Sequence, residues 1–297
     1  MRVFAFGIYL RMRTFTEELN LVIKNALQED IGDGDHSALS CISPVARGKA
    51  ILKIKQDGIL AGLDSAEKIF RYKEPTVVFN PHKKDGDPMR VGETAFDVIA
   101  SVLTILQCER LVLNCMQRMS GIATLTNTYV EKLKGFKTKL LDTRKTTPNF
   151  RLLEKEAVRI GGGVNHRMGL YDMIMLKDNH IDYCGGIEQA IEKSYNYVQM
   201  VKPELKIEIE TRSISDVKKV IAVGKNKVFR IMLDNFTPSQ IKEALAVING
   251  QMETEASGGI NLENITEYAA TGVDYVSVGA LIHQAKSLDL SLKAVLQ

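Results

Sequence analysis

Short apolar runs in this 297-residue sequence end repeatedly in groups that can do chemistry. Leu141 is followed by Asp142-Thr143-Arg144-Lys145, Leu176 by Lys177-Asp178-Asn179-His180, and Ile209 by Glu210-Thr211-Arg212. Leu233 is followed by Asp234-Asn235, Ala256 by Ser257-Gly258-Gly259, and Val278 by Gly279-Ala280. Arginine forks and lysines suit carboxylates and phosphates. Glycine-rich turns at helix N-termini expose backbone N–H groups to a phosphate. Carboxylates opposite them suit a metal ion or ribose hydroxyls. Together the groups describe a site for an anionic phosphorylated substrate and a second polyanion.

Such residues meet only if the chain folds to bring them together. The apolar runs at 138–141, 173–176, 206–209, 228–233, 252–256 and 274–278 read as strands. Helical patterns lie between them, at 187–195, 239–247 and 262–270. Strand–helix alternation predicts a parallel sheet with crossover helices, and in such sheets functional groups gather at the carboxyl ends of the strands. The groups start at 142, 177, 210, 234, 257 and 279. The last three intervals suit single β/α units, and the first two leave room for an extra loop. The insert before Lys177 carries Gly161-Gly162-Gly163-Val164-Asn165-His166-Arg167. One mouth is thus expected, with Arg144, Lys145, His166, Arg167 and Lys177 on a cationic side. Glu210 and Asp234 form the acidic side, and Gly258, Gly259 and Gly279 line the far end.

The first part of the chain has a different texture. A helix is expected over 16–28 with Thr16 as N-cap, then an acidic, glycine-broken loop over 29–35. Stretches at 47–59, 77–80 and 95–100 read as strands with few helices between them, so an antiparallel or mixed sheet is expected. A buried helix is read over 102–119, broken at Gly121, with a second helix running on to Leu133.

Several blander readings hold their ground. Gly161–Gly163 lacks the Lys-Ser/Thr of a nucleotide P-loop, and Gly32-x-Gly34 lacks a preceding strand. Glu208 shares a strand face with Glu210 and reads as an exposed barrel-wall residue. His166 and His180 have no third partner at ligand spacing, so a zinc site is not expected. A lone cation after a strand is usually a solvated loop residue. Its repetition at successive strand ends is what raises the mouth above that background.

The bulk numbers bound the alternatives. Hydrophobic residues make up 45% and charged residues 25%, the balance of a globular protein. A net charge of +3 without a basic tract gives no footprint for nucleic acid. Cys41, Cys108, Cys115 and Cys184 show no C-x-x-C spacing and are read as free thiols in a reducing cytoplasm. The apolar run Val3 to Leu10 is far too short to span a bilayer. Residues 1–11 read as an upstream start or a dispensable extension.

Thr143-Arg144-Lys145-Thr146-Thr147-Pro148, Leu153-Glu154-Lys155, Gly161-Gly162-Gly163-x-Asn165-His166-Arg167-x-Gly169-Leu170 and Lys177-Asp178-Asn179-His180 closely resemble the signature of the quinolinate phosphoribosyltransferases. The likeness extends to Glu29-Asp30-Ile31-Gly32-x-Gly34-Asp35, Glu109-Arg110-x-x-Leu113-Asn114, Leu233-Asp234-Asn235, Ala256-Ser257-Gly258-Gly259-Ile260 and Ser277-Val278-Gly279-Ala280. The resemblance implies an α/β fold: an N-terminal α/β sandwich over residues 1–120 and an incomplete β/α barrel over 121–282. A C-terminal tail, 283–297, would return to the sandwich. It implies transfer from phosphoribosyl pyrophosphate to quinolinate, giving nicotinate mononucleotide, pyrophosphate and carbon dioxide in de novo NAD synthesis, with Mg2+ as cofactor.

By position, the resemblance assigns Arg144, His166, Arg167 and Lys177 to the quinolinate carboxylates and Lys145 to phosphoribosyl pyrophosphate. Glu210 and Asp234 fall near the ribose hydroxyls and the magnesium, directly or through water. Lys145, Glu210 and Asp234 are the expected catalytic set. Ser257, Gly258, Gly259 and Gly279 match a 5′-phosphate cradle. Arg110 matches an arginine inserted from a neighbouring subunit, which implies a homodimer or a hexamer built from dimers, with neither nucleic acid nor membrane as partner. Asn149 stands where relatives often carry Gly, and the segment Lys225-Asn226-Lys227 is slightly longer than in many of them. Two rivals stand beside this reading: a sister enzyme acting on another carboxylated heterocycle, and a non-catalytic phosphate-binding homologue.

Overall fold

The computed structural model describes residues 13–295, so the reading of residues 1–11 lies outside it. The first part contains α1 (Phe15–Ile31), α2 (His36–Cys41), β1 (Arg47–Ile54), β2 (Gly58–Ile59), α3 (Leu63–Lys73), β3 (Val78–Pro81), β4 (Pro88–Met89) and β5 (Thr94–Ser101). The long α4 (Val102–Lys132) leads to the second part. There β6 (Lys139–Leu141), α5 (Arg151–Ile160), β7 (Ile174–Leu176), α6 (Asp178–Cys184), α7 (Ile187–Val201), β8 (Ile207–Thr211) and α8 (Ile214–Gly224) follow. The chain closes with β9 (Arg230–Asp234), α9 (Pro238–Ile248), β10 (Glu253–Ser257), α10 (Ile265–Ala269), β11 (Tyr275–Ser277), α11 (Ala280–His283) and β12 (Leu290–Val295).

The first helix starts earlier than expected. Thr14 is its N-cap: the hydroxyl accepts from the Glu17 amide, and the Glu17 carboxylate accepts from the Thr14 amide at 2.8 Å. That reciprocal box satisfies two amides that Thr16 would leave open. Leu19, Ile23 and Leu27 then fall on the buried face.

The N-terminal sheet is antiparallel, in the order β12-β1-β5-β3. Ala50, Leu52 and Ile54 alternate inward along β1. α3 turns Ala66, Ile69 and Phe70 to the interior, where the rings of Phe70, Phe79 and Phe96 meet. The outer strand β12 is the end of the chain, registered on β1 from Ile54↔Leu290 to Lys49↔Val295. The end of the chain thus covers one edge of this sheet.

The second part is a six-stranded parallel sheet in the order β6-β11-β10-β9-β8-β7, with β6 and β7 at its edges. It is a β/α barrel that does not close. Val164 bridges to Leu141 beside the free edge of β6. The Asp142 amide donates to Val164 O at 3.1 Å, and the Val164 amide to Leu140 O at 2.8 Å.

Gly121 does not break the helix. α4 runs unbroken from Val102 to Lys132, because the chain after α11 crosses it there. A Cβ on Gly121 would lie 2.0 Å from the Lys286 carbonyl oxygen. Mid-helix glycine ordinarily costs about 1 kcal/mol against alanine; here its lack of a side chain admits a second backbone. Among the described residues no helix is long and apolar enough to cross a membrane. The four cysteines are unpaired.

Gly121→Ala is expected to lower stability by about 2–3 kcal/mol through overpacking, opposite in sign to its effect on an exposed helix. Urea unfolding measures it, and a stabilised variant would contradict the close crossing.

Candidate active site

The strand ends of the barrel open into one cavity of about 810 Å³. Arg144 and Lys145 reach it from the loop after β6, and Lys177 from the end of β7. Glu210 on β8 and Asp234 on β9 face them, with Ser257, Gly258 and Gly259 after β10 and Gly279 after β11. His166 and Arg167 complete the lining from the insert that Val164 mounts on β6. Arg110 is the exception. It is exposed on α4 and is not part of this lining.

The cationic side is strained by its own charge. Burial and then the like charge of Arg144 lower the Arg167 pKa. Arg167 also donates to Met173 O at 3.1 Å, which orients it. Two guanidiniums held this near each other favour an anion between them.

The acidic side mirrors this. Burial and then the Glu210 charge raise the Asp234 carboxyl above its ordinary range. Lys177 Nζ lies 3.1 Å from Glu210 Oε2 and offsets part of the repulsion. Two hard oxygen donors that repel one another are a suitable seat for a divalent cation.

At the far end Gly258 and Gly259 take φ of +95° and +65°, a region that L side chains rarely enter. A Cβ on Gly258 would also meet Asn235 Oδ1 at 2.1 Å. A Cβ on Gly279 would lie 3.0 Å from Lys145 Cδ and 3.3 Å from His283 Nε2. A cation and an imidazole thus flank this last glycine.

Beneath the mouth the barrel interior is charged, and here one expectation fails. Glu208 is fully buried, not an exposed wall residue. β8 is buried along its whole length, so residues 208 and 210 both turn to the barrel axis. His166 Nε2 lies 3.0 Å from Glu208 and 3.4 Å from Glu255. Ligand atoms of His166, Glu208 and Glu255 come within 4.8 Å of one another. Arg230 Nη1 already stands 3.0 Å from Glu255 and 3.9 Å from Glu208. A guanidinium therefore supplies the positive charge that a zinc ion would bring.

Burial alone would lower the His166 pKa, but the hydrogen bonds to Glu208 and Glu255 outweigh it and push it up to about 9. The Arg167 amide points at Nδ1 from 2.7 Å, so a second proton on the ring displaces that local contact. Two carboxylates on Nε2 make the charged ring the stronger partner. Burial and the neighbouring Glu255 charge push Glu208 up to about 7. Burial would also raise Glu255, but His166 and Arg230 hold it low.

Asn235, His283 and Glu255 line the mouth and were not nominated from sequence. Asn235 adjoins Asp234 and donates to it at 2.7 Å. His283 sits one turn beyond Gly279, the spacing that could have pointed to it. Glu255 follows Thr254 within the body of a strand, where only alternation with Ser257 marks its face. Asn149, at the position where relatives often carry Gly, has φ of +61°. Asn is one of the few residues that tolerates this conformation.

The chain matches two family models. Quinolinate phosphoribosyl transferase, N-terminal domain, covers residues 35–120, and the C-terminal domain of the same family covers 122–293. A quinolinate phosphoribosyltransferase (decarboxylating) of Nicotiana glauca is 43% identical over 291 residues, 94% of this chain and 83% of that protein. A probable nicotinate-nucleotide pyrophosphorylase (carboxylating) of Bacillus subtilis is 40% identical, covering 94% of each. The crystal structure of NadC from Streptococcus pyogenes superposes with a TM-score of 0.87 at 41% identity, over 96% of this chain and all of that one.

The raised His166 pKa has a signed consequence. Its folded-state value of about 9 exceeds the ordinary 6.5, so its contribution to stability is fully present below about pH 6.5 and is lost as pH rises through 9. His166→Gln is expected to flatten the decline in melting temperature across that window. An unchanged pH dependence would disprove the pairing with Glu208 and Glu255.

Proposed function

The chain belongs to the quinolinate phosphoribosyltransferase family, and on that premise we propose how its barrel mouth carries the family's reaction. The enzyme transfers the phosphoribosyl group of phosphoribosyl pyrophosphate to quinolinate with loss of carbon dioxide, a step of de novo NAD biosynthesis. One observation supports the residue assignments above all others. A repelling pair of arginines and a repelling pair of carboxylates face each other across a single mouth.

Quinolinate is a dianion. Arg144 and Arg167 would hold its two carboxylates, with the His166 imidazolium and Lys177 adding positive charge nearby. The 5′-phosphate of the second substrate would rest on the turns at Ser257-Gly258-Gly259 and Gly279. Lys145, whose stem lies against Gly279, would meet the charge that builds on the departing pyrophosphate. Glu210 and Asp234 would hold Mg2+ and the ribose hydroxyls. When bound, the ion neutralises charge on the pyrophosphate leaving group. Holding the pyridine nitrogen in line with C1 of the ribose can itself remove roughly 7–11 kcal/mol of barrier.

The ring nitrogen becomes cationic on alkylation. It then accepts the electron pair left when the adjacent carboxylate departs as carbon dioxide. A grip too tight on that carboxylate would oppose its loss, so the stronger bidentate hold belongs on the retained 3-carboxylate.

Arg110 is exposed and remote from the lining of its own mouth. It would act in the mouth of a second subunit, as in a symmetric homodimer or a hexamer of such dimers. A reducing cytoplasm suits the four free thiols.

Purified protein with quinolinate, phosphoribosyl pyrophosphate and Mg2+ is expected to form nicotinate mononucleotide and carbon dioxide in equal amounts, with no product from nicotinate. Turnover of nicotinate instead would favour the sister-enzyme reading. Binding of phosphoribosyl pyrophosphate without turnover would favour a non-catalytic homologue.

Arg167→Ala is expected to raise the quinolinate KM by about 10- to 100-fold, as loss of a charge-assisted carboxylate contact implies. The KM for phosphoribosyl pyrophosphate should stay nearly unchanged. Unaltered quinolinate affinity would sink the assignment. Arg110→Ala and Lys145→Ala proteins, each inactive alone, are expected to recover activity when their subunits exchange, because each hybrid dimer holds one intact mouth. No recovery after verified exchange would rule out the shared site.

A further inference from the structure

Leu153-Glu154-Lys155 belongs to the string that marks the family, yet neither of its charged members lines the mouth. Glu154 and Lys155 are adjacent on α5 and only 0% and 1% exposed. With Arg151 they stand at i, i+3 and i+4, one face of the helix.

Lys155 Nζ bonds the Asp142 carboxylate and donates to His166 O at 3.1 Å. Asp142 in turn accepts from the His166 amide and from Asn165 Nδ2, both at 2.8 Å. Residue 166 is therefore gripped at its N–H and at its C=O. Glu154 accepts from the Thr147 amide at 2.8 Å and its hydroxyl at 2.9 Å. It also accepts from Arg118 Nη2 at 2.8 Å. Arg118 carries the link on to Ile282 O at 2.7 Å and Ala285 O at 2.8 Å, on either side of His283 and Gln284. Arg151 joins Thr146 Oγ1 at 2.9 Å to Met168 O at 3.0 Å.

Apolar side chains could fill these positions with less desolvation. The charges supply direction instead. Their bonds end on residues 146, 147, 166 and 168, which adjoin Arg144, Lys145 and Arg167. Arg144 and Arg167 repel, so in the free enzyme their loops are driven apart. α5 is the one rigid element bonded to both loops.

We propose that Lys155 and Glu154 are positioning residues that hold the two cation-bearing loops at a fixed separation, Lys155 for the quinolinate side and Glu154 for the phosphoribosyl pyrophosphate side. The proposal rests on the reading of the mouth given above.

The test compares steady-state kinetics and melting temperature of two variants with wild type. Lys155→Met combined with Asp142→Asn removes both buried charges, so neither is left unpaired. It is expected to raise the quinolinate KM by about 10- to 100-fold and leave the phosphoribosyl pyrophosphate KM within about twofold, as a small misplacement of one loop implies. Glu154→Gln, whose partner Arg118 keeps partial access to solvent, is expected to show the reverse preference and stays informative if the double variant does not fold. Lower melting temperatures with both KM values unchanged would mean a purely structural role and overturn the proposal. Failure of the wild-type protein to turn over quinolinate would overturn the functional reading, and the substrate assignment of the brace with it. Wild-type turnover with the same KM shifts in both variants would overturn the division of labour alone.

Discussion

The free edge of β6 is the constraint on which the rest of the site depends. A strand edge carries backbone N–H and C=O groups that must find partners, and the parallel sheet ends there. Val164 supplies them with a single residue, bonding Leu140 O and the Asp142 amide. That one-residue bridge needs no seventh strand. It leaves residues 165–167 free to fold over the carboxyl ends of the others. A closed barrel would seal this gap with a strand and lose the insert's route onto the mouth. The glycines before Val164 serve the same approach: a Cβ on Gly161 would lie 2.5 Å from Ala123 O, and one on Gly163 would lie 2.7 Å from Val158 Cγ1.

With the insert in place, like charges are set facing like charges. Arg144 depresses the Arg167 pKa, and Glu210 raises that of Asp234. Each pair is costly in the free protein, and the ligand of opposite sign removes the cost on binding. Binding strength thus comes from relief of built-in repulsion as well as from new contacts. The same repulsion requires a scaffold that does not yield, since yielding loops would relax the strain before substrate arrived. The bonds from α5 to both loops meet that requirement.

Much of this was legible in the sequence because strand ends in a parallel sheet converge whatever the details of the helices. The polar groups following Leu141, Leu176, Ile209, Leu233, Ala256 and Val278 all reach the mouth. Legibility stops where the answer depends on neighbours distant in sequence. Gly121 reads as a helix breaker, since nothing nearby announces that the Lys286 carbonyl will occupy the space of its missing side chain. Thr16 looks as good a cap as Thr14 until the Glu17 carboxylate is seen to return to the Thr14 amide. Glu208 reads as solvent-facing because alternation says which residues share a face, not which face is inside. In a barrel with a polar axis, hydrophobicity gives no hint of the inner one.

That polar axis explains how a cationic mouth can stand on a protein interior. His166 rests on Glu208 and Glu255, Arg230 lies between those carboxylates and Glu253, and its guanidinium stacks on Tyr275 at 4.1 Å. Charge alternates down the barrel from the mouth toward the base. Buried ion pairs are weak evidence for stability, since desolvation offsets most of their attraction. Their value here lies in what they fix at the top. With an apolar core below it, His166 would be neutral by burial alone, and the mouth would lose a cation. With carboxylates but no Arg230, two buried anions would repel and Glu208 would take a proton, weakening its hold on the ring. Arg230 allows Glu255 to stay ionised beside Glu208, so that the imidazole meets at least one full negative charge. The charge state of the mouth is therefore set one layer beneath it, by residues that reach no substrate.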